Sequence, residues 1–95
     1  MRNRIIAMMN HRGWSFHWTE RSAYLHLEVS ELTEAVRGKH GDTLDESADV
    51  LITLLALSPH NLTEIIDAAE HKIKHLATAP KYPGEESSPR STVAV

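Results

Sequence analysis

The sequence predicts an all-α protein, an antiparallel helical bundle completed by dimerisation. Two observations predict the helices: apolar residues recur at helical spacing in four segments, and Gly, Pro or a capping side chain stands at the segment ends. The third predicts the assembly. In the segment from Leu44 to Leu57, apolar residues cover nearly every direction around a helix, and so short a protomer has too few other helices to bury it on all sides. Residues 1–79 read as one helical domain and residues 80–95 as a mobile Pro/Ser-rich tail.

The first helix is expected over Arg2 to His11, where Ile5, Ile6, Met8 and Met9 cover a core edge and Gly13 ends it. Trp14-Ser15-Phe16-His17-Trp18 follows and holds three of the five aromatic residues. It reads either as a hydrophobic plug or as a wall against which a nucleobase stacks, with a His to bond its edge. Thr19 is the expected N-cap of a long helix reaching Arg37, with Leu25, Val29, Leu32 and Val36 as its core stripe. Gly38-Lys39-His40-Gly41-Asp42 reverses the chain and makes the next helix antiparallel. That helix runs from about Leu44 to Ser58, where Pro59 stops it. Asn61 and Glu64 form a capping box for the last helix, whose stripe is Ile65, Ile66, Ala69, Ile73 and Leu76.

Composition bounds the chemistry. Ninety-five residues make one small domain, and the absence of Cys excludes disulfides, thiolate metal sites and a cysteine nucleophile. The net charge of -3 is unevenly spread: +3 over residues 1–27, -8 over 28–70 and +2 over 71–95. An acidic centre between basic ends suits a metal site beside a phosphate site, and argues against nucleic acid as a partner. No targeting segment and no run of about 20 apolar residues is present, so a cytoplasmic protein without a membrane partner is the expectation.

Candidate ligands stand out within the acidic centre. Glu28 with Glu31, and Glu46 with Asp49, are pairs three residues apart, a spacing that puts both carboxylates of a pair on one helix face. Glu34 points away as a solvated acid. Glu46, Asp49 and Thr53 form one polar strip on an otherwise apolar helix, and carboxylates in such a setting must be paired, protonated or metal-bound. Hard oxygen ligands of this kind suit Mg²⁺. Two plainer readings compete. Thr43 as N-cap with Glu46 three residues on makes a capping box, and Glu31 can pair with Arg37 or Lys39. The seven His offer no H-E-x-x-H and no Glu-x-x-His, and EF-hand, Walker A and Rossmann patterns are absent.

The pattern E-x-x-E, fourteen residues (32–45), then E-x-x-D resembles the signature of the all-α nucleoside triphosphate pyrophosphohydrolases, and within them the short, single-domain MazG-like enzymes. The resemblance covers residues 14–83. It implies a Mg²⁺-dependent hydrolase, with Mn²⁺ as a substitute, that converts (d)NTP to (d)NMP and pyrophosphate in nucleotide-pool house-cleaning. It implies Glu28, Glu31, Glu46 and Asp49 as metal ligands and catalytic residues, Trp14 and His17 as base contacts, and a homodimer or dimer of dimers. Lys72 and Tyr82-Pro83 match the basic helix end of the family, where Lys72 would meet phosphate; the Arg expected a turn later is missing between Glu70 and Tyr82. The alternatives are a non-enzymatic helical dimer serving as a regulatory or interaction module, and a small DNA-binding protein using Arg2, Arg4, Arg12 and Arg21.

Overall fold

The computed structural model describes residues 1–79 and contains four helices and no strand among them. They are α1 (Arg2–Arg12), α2 (Trp18–Val36), α3 (Thr43–Leu57) and α4 (Leu62–Thr78). The segment 80–95, with Lys81 and Tyr82-Pro83, lies outside the described residues. Two compact units are formed, Met1–Ile65 and a second beginning at Ile66. Among the described residues no helix is long and apolar enough to cross a membrane.

In the first unit the core is small. Ile5 and Met9 of α1 close on Leu55 of α3, with Met8, Trp14, Leu51, Ala56, Leu62 and Ile65 packed around them. Gly13, at φ 70°, ends α1 in the left-handed conformation that glycine adopts without steric cost, as its position predicts. Arg2 anchors the other end of that helix: its Nη1 donates to the Leu55 carbonyl (3.2 Å) and the Ser58 carbonyl (2.6 Å). These are among the last carbonyls of α3, which have no partner within the helix. Arg2 is thus tied up, and Arg21 is buried, which removes two of the four arginines from a free basic surface.

Two caps differ from expectation. His17, not Thr19, is the N-cap of α2; its Nδ1 accepts from the Thr19 amide at 3.3 Å and lies 2.8 Å from the Thr19 hydroxyl. Asp42, not Thr43, caps α3, with Oδ1 accepting from the Leu44 amide at 2.8 Å. In both places the side chain lying just outside the helix wins, because an N-cap must hold extended backbone angles, and His17 and Asp42 do. The Asn61–Glu64 box forms as expected, with reciprocal bonds of 2.9 Å.

The larger correction concerns α2. Arg21 and Ala35 are the buried residues of this helix, whereas Val29 is 44 % and Val36 68 % exposed. The stripe of Leu25, Val29, Leu32 and Val36 is therefore not the core of the protomer. At 100° per residue the face that meets α3 passes through Arg21, Glu28 and Ala35, about 70° away. Gly41, at φ 91°, brings the connecting turn to within 3.5 Å of the Ala35 Cβ, measured from where its own Cβ would stand. A small side chain at position 35 and none at 41 let the helices approach there. In the second unit, Ile66, Ile73 and Leu76 of α4 are likewise exposed rather than core.

Candidate metal centre

The short reversal between α2 and α3 lays the start of α3 beside the end of α2 and carries the acids together. Glu28, Glu46 and Asp49 each present a carboxylate oxygen within 4.8 Å of the others, and all three are partly buried. An octahedral Mg²⁺ shell, with metal–oxygen distances of about 2.1 Å, places its oxygens no more than about 4.2 Å apart. The group needs only a slight contraction to meet that limit.

Glu46 is the informative member. Its Oε1 is enclosed and has no hydrogen-bond partner. The capping-box reading of this residue does not hold, since Asp42 occupies the cap and Glu46 lies one position too far along to reach back to it. The ion-pair reading of Glu31 also does not hold. Arg37 bonds Glu34 instead at 3.4 Å, and His40 approaches Glu34 at 4.0 Å, so Glu34, expected as a solvated acid, takes the Arg37 side chain, and no ion pair joins Lys39 to Glu31 among the described residues. Neither plainer account explains the acids that remain.

Their electrostatics are those of crowded like charges. Partial burial pushes the Glu28 carboxyl above its ordinary value, followed by the charges of Glu31, Asp49 and Glu46. Glu46 is raised by partial burial first, then by Glu31, Asp49 and Asp45, with His40 acting in the opposite direction. Glu31 thus stands beside the group of three and repels two of its members. A divalent cation among them would add attractions that outweigh these repulsions. An enclosed acceptor without a donor, within an all-oxygen set, fits a hard cation.

Thr53, the third member of the predicted polar strip, is buried, and its hydroxyl donates to the carbonyls of Asp49 and Val50 at 3.0 Å each. It braces the turn that carries Asp49. Gly41 bears on the site from the other side: a Cβ there would stand 3.2 Å from Glu46 Oε2. The double glycine of the turn was legible as a chain reversal; its second role, leaving room for a carboxylate, was not.

The remaining predicted contacts are dispersed. His17 is exposed and serves as the α2 cap. Lys72 lies in the second unit, where it shares a surface with His71, His75 and Leu76. Trp14 packs on the core and stacks on Tyr24, with planes 2° apart and centroids at 6.2 Å. The Arg21 guanidinium lies over both rings, 4.8 Å from the first centroid and 5.0 Å from the second. Arg21 is 3 % exposed, and its Nε has no partner. Desolvating a guanidinium costs several kcal/mol, and the two aromatic faces offset part of it, about 2 kcal/mol or more each once desolvated. Nothing in the sequence marked Arg21 as buried, because arginines are usually exposed.

Family models, curated proteins and solved structures were all compared with the chain, and none matches it.

Proposed function

We propose that the chain is a Mg²⁺-dependent nucleoside triphosphate pyrophosphohydrolase, accepting Mn²⁺ in place of Mg²⁺ and converting (d)NTP to (d)NMP and pyrophosphate. The observation that carries this reading is the convergence of Glu28, Glu46 and Asp49 from two helices around an enclosed Glu46 oxygen with no protein donor. In this reading those three residues hold the ion. When bound, Mg²⁺ offsets the charge of the phosphates and lowers the pKa of the attacking water. Glu31, next to the group but outside it, or Glu28 takes that water's proton in this reading. Trp14 and His17 remain the proposed base contacts.

The proposal includes a homodimer. All formal charges of α2 lie on one side, at Glu20, Arg21, Glu28, Glu31 and Glu34. The opposite arc, Trp18, Ser22, Leu25, Val29, Leu32, Thr33 and Val36, carries none, and its Trp18 is 67 % exposed. An uncharged, half-apolar stripe of this kind is complementary to itself. It also supports the second reading, a helical dimer without catalysis.

Pyrophosphate release with Mg²⁺, from a panel of nucleoside triphosphates, tests the enzyme. Activity that disappears in Glu46→Gln and Asp49→Asn supports the proposal. Full activity in both variants removes it. A calorimetric titration with no Mg²⁺ binding by a dimeric wild-type chain favours the non-enzymatic alternative.

A further inference from the structure

We infer that Arg21 is an oxyanion-binding residue, whose guanidinium takes a phosphate group beside the Trp14 and Tyr24 rings. Among the described residues it is the one formal charge that is fully buried. The other buried polar side chain, Thr53, has both its bonds made, whereas Arg21 does not. The ion pairs of the described residues join Glu34 to Arg37 and His40, and Glu64 to His60; none involves Arg21. The positive charge therefore calls for an anion from outside the protomer.

Geometry selects the kind of anion. The Arg21 guanidinium stands with its Cζ over the Trp14 and Tyr24 rings, which offer it π faces rather than a hydrogen-bond acceptor oxygen. Its N–H donors lie in the guanidinium plane and point out along the edge, where a fork of two parallel bonds matches the oxygens of phosphate. Tyr24 is half exposed, which brings this clamp to the surface. Arg21 and Glu28 are seven residues apart on one ridge of α2, about 10 Å along the helix axis. An elongated, polyphosphorylated ligand held by a cation at Glu28 would extend along this ridge toward Arg21. That extension rests on the proposed metal function; the anion site itself does not.

The test uses the full chain with divalent ions chelated and ionic strength held constant with chloride. Pyrophosphate, a nucleoside monophosphate and acetate are titrated by calorimetry, and the Arg21 side-chain Nε–H resonance is followed by NMR. The resonance is expected to shift on saturation with pyrophosphate, and Arg21→Met should bind pyrophosphate about tenfold more weakly or worse. Arg21→Lys, which keeps the charge and loses the fork, should fall between and serves as the comparison if Arg21→Met does not fold. Equal affinity for pyrophosphate and the monophosphate supports a site that reads phosphate alone; tighter monophosphate binding supports a nucleotide stacked at Tyr24. A resonance unmoved by millimolar pyrophosphate, wild-type affinity in the variants, or acetate binding as well as phosphate overturns the inference. Lost Mg²⁺-dependent hydrolysis alongside intact pyrophosphate binding would overturn the enzyme proposal and leave this one standing.

Discussion

The two sides of α2 follow opposite rules. One side carries every charge of the helix, and along its edge Arg21 is buried and Glu28 joins the acids of α3. The other side is uncharged over five turns and leaves Trp18, Val29 and Val36 largely open. Burial alone would sort the sides the other way round, because apolar area gains from leaving water and charge loses. A helix that buries Arg21 and crowds Glu28 among other acids is paying for something that the protomer by itself does not use. The inward side is therefore the place to look for ligands, and the outward side the place to look for a partner chain.

The strongest way to break this contrast is to neutralise the inward side. Glu46→Gln should lower Mg²⁺-dependent pyrophosphate release by about 100-fold or more. The same substitution should leave the metal-free protein at least as stable as wild type, since it removes one of several crowded like charges. A variant both inactive and much less stable would mean that Glu46 is structural. Charging the outward side comes next. Val29→Asp should convert a dimer to a species of about the chain mass, 10.7 kDa, in light scattering, while leaving α-helical circular dichroism in place at low temperature. An unchanged mass would deny this stripe its role.

Smaller effects sharpen the picture at the turn. Gly41→Ala should cost about 1–2 kcal/mol in stability, because an alanine resists a φ of 91°. It should also weaken Mg²⁺ binding, because the new methyl stands 3.2 Å from Glu46 Oε2. Gly38→Ala is a control for backbone strain: it has a φ of 78°, and a Cβ there meets nothing within 4 Å. Equal losses of Mg²⁺ affinity in the two variants would show that strain, not crowding, is responsible.

The smallest expected effect is a pH dependence. Glu28 and Glu46 have raised folded-state pKa values, so the folded chain holds their protons more tightly than the unfolded chain does. Their contribution to stability is present below the ordinary glutamate pKa and is lost as pH rises through the folded values. With metal chelated, these groups should make the protein melt at a lower temperature near pH 7 than near pH 4, and Glu46→Gln should flatten the slope. Adding Mg²⁺ at pH 7 should restore stability by binding the folded form. Identical melting profiles for wild type and Glu46→Gln in chelator would contradict the crowding described above.

Much of the fold was legible because helix signals are local. Gly13, the Asn61–Glu64 box and the glycines of the reversal each act within a few residues, and each does what its chemistry dictates. The meeting of Glu28 with Glu46 and Asp49 was also readable, since a short turn leaves two neighbouring helices little choice of register. Two things were not. Competition between adjacent capping residues is decided by backbone angles, which residue type does not specify, hence Asp42 over Thr43 and His17 over Thr19. A helical wheel, moreover, gives the angle between the Leu25–Val36 stripe and Glu28 but not which of them the neighbouring helix will choose. Ala35 and Gly41 settled that choice through close approach, a property of pairs that single positions do not carry.

The contact from Arg2 to the Leu55 and Ser58 carbonyls has a consequence for the acids two to three turns away. Asp42 caps one end of α3 from within its own first turn, and Arg2 of α1 holds the other end, so the rod that carries Glu46 and Asp49 is closed at both termini. Loosening the Arg2 grip would let the jaw spread without altering a single tooth. Were the proposed ion bound between the helices, its affinity would then respond to a residue that never approaches it.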